Sequence, residues 1–222
     1  MKKESLRKLI VSLSLLVSFV LWTVAVCVVD VRAIGPRGST VGFAALNGFV
    51  HNLTGVHMTL YNITDWLGLV PFAFVAGFGI LGLAEWIKRK HIKNVDFDLL
   101  ALGGFYLVTM AVYVFFEMVV INRRPVLIDG YLEASYPSST TMLVMCVMPT
   151  ALMQFNLRIK GKLLKFCVAL VIVLFTAFMV LGRFASGVHW ASDIIGGGLL
   201  SAGLVMMYSF VCSLKMNYGI TN

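Results

Sequence analysis

Charge is scarce in this chain and acidic charge scarcest: 13% of its residues are charged, and only 10 of 222 are Asp or Glu against 18 Lys or Arg. So thin a polar complement cannot coat a soluble domain of this length, which excludes the ordinary globular classes. Cysteine is equally sparing. Cys27, Cys146, Cys167 and Cys212 each fall inside an apolar run without paired spacing, so neither a disulfide framework nor a thiolate metal site is implied. No cluster of His, Asp and Glu has ligand spacing either, so no metal and no other cofactor is expected. No repeat and no Pro/Gly/Ser linker interrupts the chain, and residues 1–222 read as a single domain.

What the chain has in abundance is apolar length. Hydrophobic residues make up 59% of it, and six runs approach the roughly 20 residues that a helix needs to cross a bilayer core. They lie near Leu9 to Val29, Leu67 to Trp86, Leu99 to Ile121, Thr141 to Phe155, Leu163 to Leu181 and Ile194 to Leu214. The fourth is short and spans only if its helix begins near Ser138 and reaches Leu157. The fold class expected is therefore an all-α integral membrane protein with six transmembrane helices.

The net charge of +8 could suggest a nucleic-acid partner, but the basic residues sort by side of the membrane. Every lysine, from Lys2, Lys3 and Lys8 through Lys88, Lys90, Lys93, Lys160, Lys162 and Lys165 to Lys215, falls on the side of the N-terminus, with Arg7, Arg89 and Arg158. Only Arg32, Arg37, Arg123, Arg124 and Arg183 fall on the other. This is the positive-inside pattern, and it places both termini in the cytoplasm, with no nucleic acid called for. The first run is longer than the apolar core of a signal peptide and reads as a retained anchor. The loop from Asp30 to Thr64 carries scattered aliphatics between Val41 and Leu60 that suit an interfacial helix; His51 and His57 within it read as surface or interfacial residues.

Chemistry concentrates in two loops opposite the lysines. His189 and Asp193 are four residues apart, one helical turn, so Asp193 is expected to hydrogen-bond one imidazole nitrogen while the other faces a substrate. Arg183, six residues before the histidine, suits an oxyanion. In the other loop, Arg123 and Arg124 precede Pro125, and Pro137-Ser138-Ser139-Thr140 opens an apolar run as a helix start with Ser138 as N-cap. Free N–H groups and the positive dipole end there suit a phosphate. Taken singly these residues also fit plainer roles, a helix cap for the serines and interfacial anchoring for the arginines.

Together, Arg124-Pro125, Pro137-Ser138 and the block Arg183, His189, Asp193 resemble the type 2 phosphatidic acid phosphatase superfamily, membrane phosphatases of lipid phosphates and polyprenyl diphosphates. That family's pattern is Lys, six residues, Arg-Pro; then Pro-Ser-Gly-His; then Ser-Arg, five residues, His, three residues, Asp. Here Gly182 replaces the serine of the third block, Glu117 stands in the lysine slot, and Thr140 in the histidine slot. The resemblance implies His189 as a nucleophile that forms a phosphohistidine, Asp193 as its orienter, and Arg124, Arg183, Ser138 and Ser139 as phosphate ligands. It assigns general-acid work to the histidine replaced by Thr140, for which Asp129, Glu133, Tyr136, Glu117, His51 and His57 are alternative donors, and Arg123 could replace the lysine charge. A diphosphate expels a phosphate and needs less help from an acid than a monoester does, so the expected substrate is a polyprenyl diphosphate such as undecaprenyl diphosphate. The expected setting is a bacterial plasma membrane, with the active site facing outside and membrane lipids around it; the oligomeric state is not legible. The alternative is a catalytically weak or silent lipid-phosphate binder, favoured by Glu117 and Thr140.

Overall fold

The computed structural model describes residues 3–218, with side chains as far as Leu214, so Lys2 and the side chain of Lys215 lie outside the described residues. The chain is helical throughout: α1 Lys3–Val28, α2 Ala44–Thr54, α3 Met58–Leu67, α4 Val70–Arg89, α5 Phe97–Met118, α6 Ser139–Arg158, α7 Lys162–Ala185 and α8 Ala191–Tyr218. Six helical stretches are long and apolar enough to cross a membrane, α3 running into α4 as one of them. The six-span expectation holds, with shifts at the helix ends. α5 starts two residues early and stops at Met118, because Val119 leaves helical geometry. α6 runs from Ser139 to Arg158, the extension its short apolar run required.

Burial explains why α6 is the least apolar span. Half of its central window is buried, against 11% for α7, so it sits among other helices and needs less lipid-matching surface. Large side chains on the outer faces, such as Leu107, Leu163 and Val171, are exposed, as a lipid belt requires. α1 is built into the bundle. Its Phe19 and Val26 are buried, and Ser12 donates to the Gly203 carbonyl of α8 at 2.8 Å. A Cβ at Gly203 would lie 2.8 Å from a methyl of Leu16, so glycine lets the two backbones approach.

The loop from 30 to 64 differs most from expectation. In place of one interfacial helix it forms α2 and α3, broken at Gly55, whose φ of 67° suits glycine. The turn is held to the α7–α8 loop, where the His57 amide donates to the Ser186 carbonyl at 2.9 Å. A Cβ at Gly187 (φ 68°) would fall 1.8 Å from the Gly55 carbonyl oxygen, so neither partner could move closer with a larger residue there.

Six crossings put the two chain ends on one side. The hairpins between α4 and α5 and between α6 and α7 join them there, with all the described lysines, while the loops carrying Arg124, Ser138, Arg183 and His189 gather at the opposite end. With the four native cysteines removed, single cysteines at Lys90 and Asp129 should therefore react with an impermeant reagent from opposite faces of the membrane. Labelling of both from one face would refute this path.

Candidate active site

The loop between α5 and α6 is a hairpin rather than an open coil. Asp129 and Gly130 both have positive φ (48° and 81°) and join Ile128 to Tyr131 through paired backbone hydrogen bonds, and Arg123 bridges antiparallel to Ala134. Asp-Gly is the dipeptide such a turn prefers, and that signal was present in the sequence. The pairing sets Arg124 beside Glu133 and delivers Ser135 to the bundle end, where Tyr136 wedges in: its hydroxyl meets Thr23 of α1 at 2.6 Å. Gly196 of α8 makes the room, since a Cβ there would lie 2.6 Å from the Tyr136 ring.

His189 lies in the loop just before α8, not within the helix, so the one-turn spacing to Asp193 does not operate. Asp193 is the third residue of α8 and reaches back to the Trp190 amide at 3.0 Å, closing the helix start as a capping box does. Its other described bonds come from Asn122 (3.0 Å), Ser192 (3.3 Å) and the Ser135 hydroxyl (2.5 Å). The expected direct bond to His189 is thus replaced by a relay. Ser135 Oγ gives its proton to Asp193 and meets His189 Nδ1 at 3.1 Å, and the Ser135 carbonyl lies 3.2 Å from the same nitrogen. Ser135, which joins His189 to Asp193, is absent from the sequence reading; nothing in local spacing marks it.

This arrangement fixes the imidazole tautomer. A carbonyl only accepts, and a hydroxyl already donating to a carboxylate accepts in turn, so Nδ1 carries the proton. On the other edge, Arg124 Nη1 lies 3.4 Å from Nε2, and a guanidinium only donates, so Nε2 presents a lone pair. Burial pushes the His189 pKa well below its usual value, the charges of Arg124 and Arg183 push the same way, and only the Ser135 carbonyl opposes them.

Arg124 covers that lone pair, and Arg183 lies close enough for its charge to act on the same ring. Arg183, 1% exposed, donates from Nη2 to Asp65 of α3 at 2.7 Å and to Thr140 at 2.5 Å, and packs 4.8 Å from the Tyr61 ring. Its Nε and Nη1 are buried with no hydrogen-bond partner among the described residues. Arg124 is held by Glu133, whose Oε2 lies 3.0 Å from Nε, a close ion pair whose angle is not that of a hydrogen bond, since Nε also stands among the buried unpartnered atoms. Ser138 occupies the N-cap position of α6 as expected, yet its hydroxyl caps nothing and is also buried without a partner. Ser139 follows at the first turn and lines a small cleft with His189, Ser135, Glu117 and Tyr136. Arg123 is not drawn in: its guanidinium is exposed and donates to the Leu132 carbonyl, while its own carbonyl accepts from the Trp190 indole. Of the other alternative donors, Tyr136 is turned to α1, His57 contacts the Thr54 carbonyl, His51 rests against the Trp190 ring and Asp129 sits at the hairpin tip.

Fold and site together define a six-span helical membrane protein with a histidine–arginine centre at one end of the bundle. The PAP2 superfamily model matches residues 98–216, more than half of the chain, and the chain belongs to that superfamily. Among solved structures, its fold is similar to that of a transmembrane PAP2-type phosphatidylglycerolphosphate phosphatase from Bacillus subtilis, with a TM-score of 0.59 and 17% identity over 95% of this chain and 98% of the other. No curated sequence matches the chain.

Ser135→Ala tests the relay. It strips the buried Asp193 carboxylate of one donor and should lower unfolding stability by about 1 to 3 kcal/mol. Nitrogen NMR of His189 should also show a weakened preference for the proton on Nδ1. A variant with unchanged stability and tautomer would remove Ser135 from this role.

Proposed function

We propose that this protein hydrolyses a lipid phosphate or diphosphate without a metal ion, through a phosphohistidine on His189. The observation that carries this reading is a convergence of buried donors lacking partners. Among the described residues, Arg183 Nε and Nη1 and the Ser138 hydroxyl are buried without a hydrogen-bond partner, while the charge of Arg183 acts on His189 and Arg124 Nη1 lies 3.4 Å from its Nε2. Burying such donors unpaired costs free energy, and a tetrahedral anion with several acceptor oxygens would satisfy them together.

The chemistry follows from the geometry. The arginines and the start of α6 hold the phosphate and neutralise the charge that develops on its oxygens, which is where most transition-state stabilisation arises in phosphoryl transfer. The Nε2 lone pair attacks phosphorus. As the imidazole becomes cationic, its Nδ1–H leans on Ser135 and, through it, on the Asp193 carboxylate. Water then releases phosphate from the histidine. With the lysine-rich end in the cytoplasm by the positive-inside rule, the site faces outside, in keeping with a bacterial plasma membrane.

The favoured substrate is a polyprenyl diphosphate such as undecaprenyl diphosphate, because Thr140 offers no acid in the slot where the family has histidine. A carboxylate, Asp65, shares one Arg183 guanidinium nitrogen with Thr140, so monoester and diphosphate lipids are both arms of the test. The second reading, a binder without turnover, is favoured by Glu117, an exposed carboxylate on the cleft where the family places a lysine.

Purified protein should release phosphate from phosphatidate or a polyprenyl diphosphate, and His189→Ala should abolish it. Arg183→Lys, which loses the fork that spans two phosphate oxygens, should lower kcat by about 10² to 10³, as loss of an oxyanion donor does. Wild-type turnover by His189→Ala would rule out the phosphohistidine.

The pH profile gives an independent check. Because the nucleophile is the neutral imidazole and its pKa is depressed, activity persists as pH falls through the ordinary histidine value of about 6.5 and is lost only below it. An acid limb of kcat/KM at or above that value would contradict the burial argument.

A further inference from the structure

Thr140 has no acid to give, yet it shares a guanidinium with a residue that does. Arg183 Nη2 donates both to Thr140 Oγ1, at 2.5 Å, and to Asp65 Oδ1, at 2.7 Å, so Asp65 sits beside the slot where the family pattern has its histidine. It arrives from α3, 118 residues away in sequence. Two features hold α3 in place. Gly182, where the family has serine, admits Thr64: a Cβ at 182 would lie 2.7 Å from the Thr64 methyl. Tyr61, one turn before Asp65, lays its ring 4.8 Å from the Arg183 guanidinium carbon and 5.7 Å from that of Arg124. The side chain of Asp65 remains 56% exposed, open to proton exchange with solvent, whereas that of Arg183 is 2% exposed.

The geometry points to Asp65 as the general acid and base of this site, doing the work of the histidine replaced by Thr140; the assignment rests on the phosphatase reading above. In the resting site the Asp65 carboxylate pairs with Arg183. A phosphate ester has a second pKa of roughly 6 and arrives partly as the monoanion. When its oxygens take over Arg183, Asp65 loses its counterion beside a new negative charge, and the ester's proton passes to the carboxylate. Nε2 of His189 then forms the N–P bond while the P–O bond to the lipid breaks. The electron pair of that bond leaves on the lipid oxygen, which takes the Asp65 proton and departs as an alcohol. In the second step water attacks phosphorus and gives a proton to the Asp65 carboxylate, the N–P electron pair returns to Nε2, and Asp65 passes that proton to the departing phosphate, which restores the resting carboxylate. The proton on Nδ1 stays in place throughout, and one water is consumed per cycle.

A proton donor matters in proportion to how badly the leaving group needs one. Phosphatidate expels an alkoxide, whereas para-nitrophenyl phosphate expels a stable phenolate. Asp65→Asn should lower kcat on phosphatidate by about 10² to 10⁴, the usual worth of general acid catalysis, and on para-nitrophenyl phosphate at least tenfold less. Aryl turnover by the same preparation shows that the variant is folded, and Asp65→Glu should recover part of the phosphatidate rate. Equal losses on both substrates would overturn the assignment, as would faster phosphatidate hydrolysis by Asp65→Asn, which would make Asp65 a competitor for Arg183. A selective loss in Glu133→Gln in place of Asp65→Asn would transfer the role to the carboxylate on Arg124. A wild-type protein inactive on both substrates would remove the phosphatase reading and this donor with it, whereas an active wild type with an unselective Asp65→Asn removes the donor alone.

Discussion

Arg183 ends an apolar helix with its charge almost wholly out of water, and the bundle end is organised around that cost. Desolvating a guanidinium carries a penalty of several kcal/mol even after the surroundings relax, and it is met only by close partners. Asp65 supplies the countercharge, Thr140 an acceptor and Tyr61 a π face. These three account for one nitrogen and one face of the guanidinium. Nε and Nη1 stay buried without a partner among the described residues, a cost that a bound anion would offset.

The departures from the family pattern make sense as a set when α2 and α3 are included. A serine at 182 would collide with Thr64, and anything but glycine at 187 would collide with the Gly55 carbonyl, so both positions are small because the segment between α1 and α4 presses onto the site. Once α3 is that close, its Asp65 and Tyr61 share the space around Thr140 with Arg183. A histidine side chain at position 140 would enter the same crowded ground. The replacement of one residue and the approach of another helix are two views of one packing arrangement.

Much of the architecture was legible because it is one-dimensional. The length of each apolar run sets a span and the lysines mark one side, so the sequence placed Arg124, Ser138, Arg183 and His189 at one end of the bundle before any contact was known. The relation of His189 to Asp193 was misread for a physical reason: spacing of four implies contact only within a helix, and α8 begins after the histidine. Ser135 and Asp65 were invisible for another. Each acts through partners more than fifty residues away, and no local period records such a contact. The Asp129-Gly130 turn was the opposite case, a local signal that could have shown that Arg124 and Ser135 lie on paired strands of a hairpin.

Arg124 and Arg183 each hold a carboxylate, Glu133 and Asp65 respectively, so the charges of these two pairs largely offset one another. This limits the electrostatic cost of keeping two guanidiniums beside a histidine that must stay uncharged. It also means that an anion gains less than the bare charge of the arginines would suggest, because it must displace carboxylates already seated there. Displacement would couple two events that are separate in a site with free arginines: an arriving anion takes a cation, and the carboxylate seated on that cation is released.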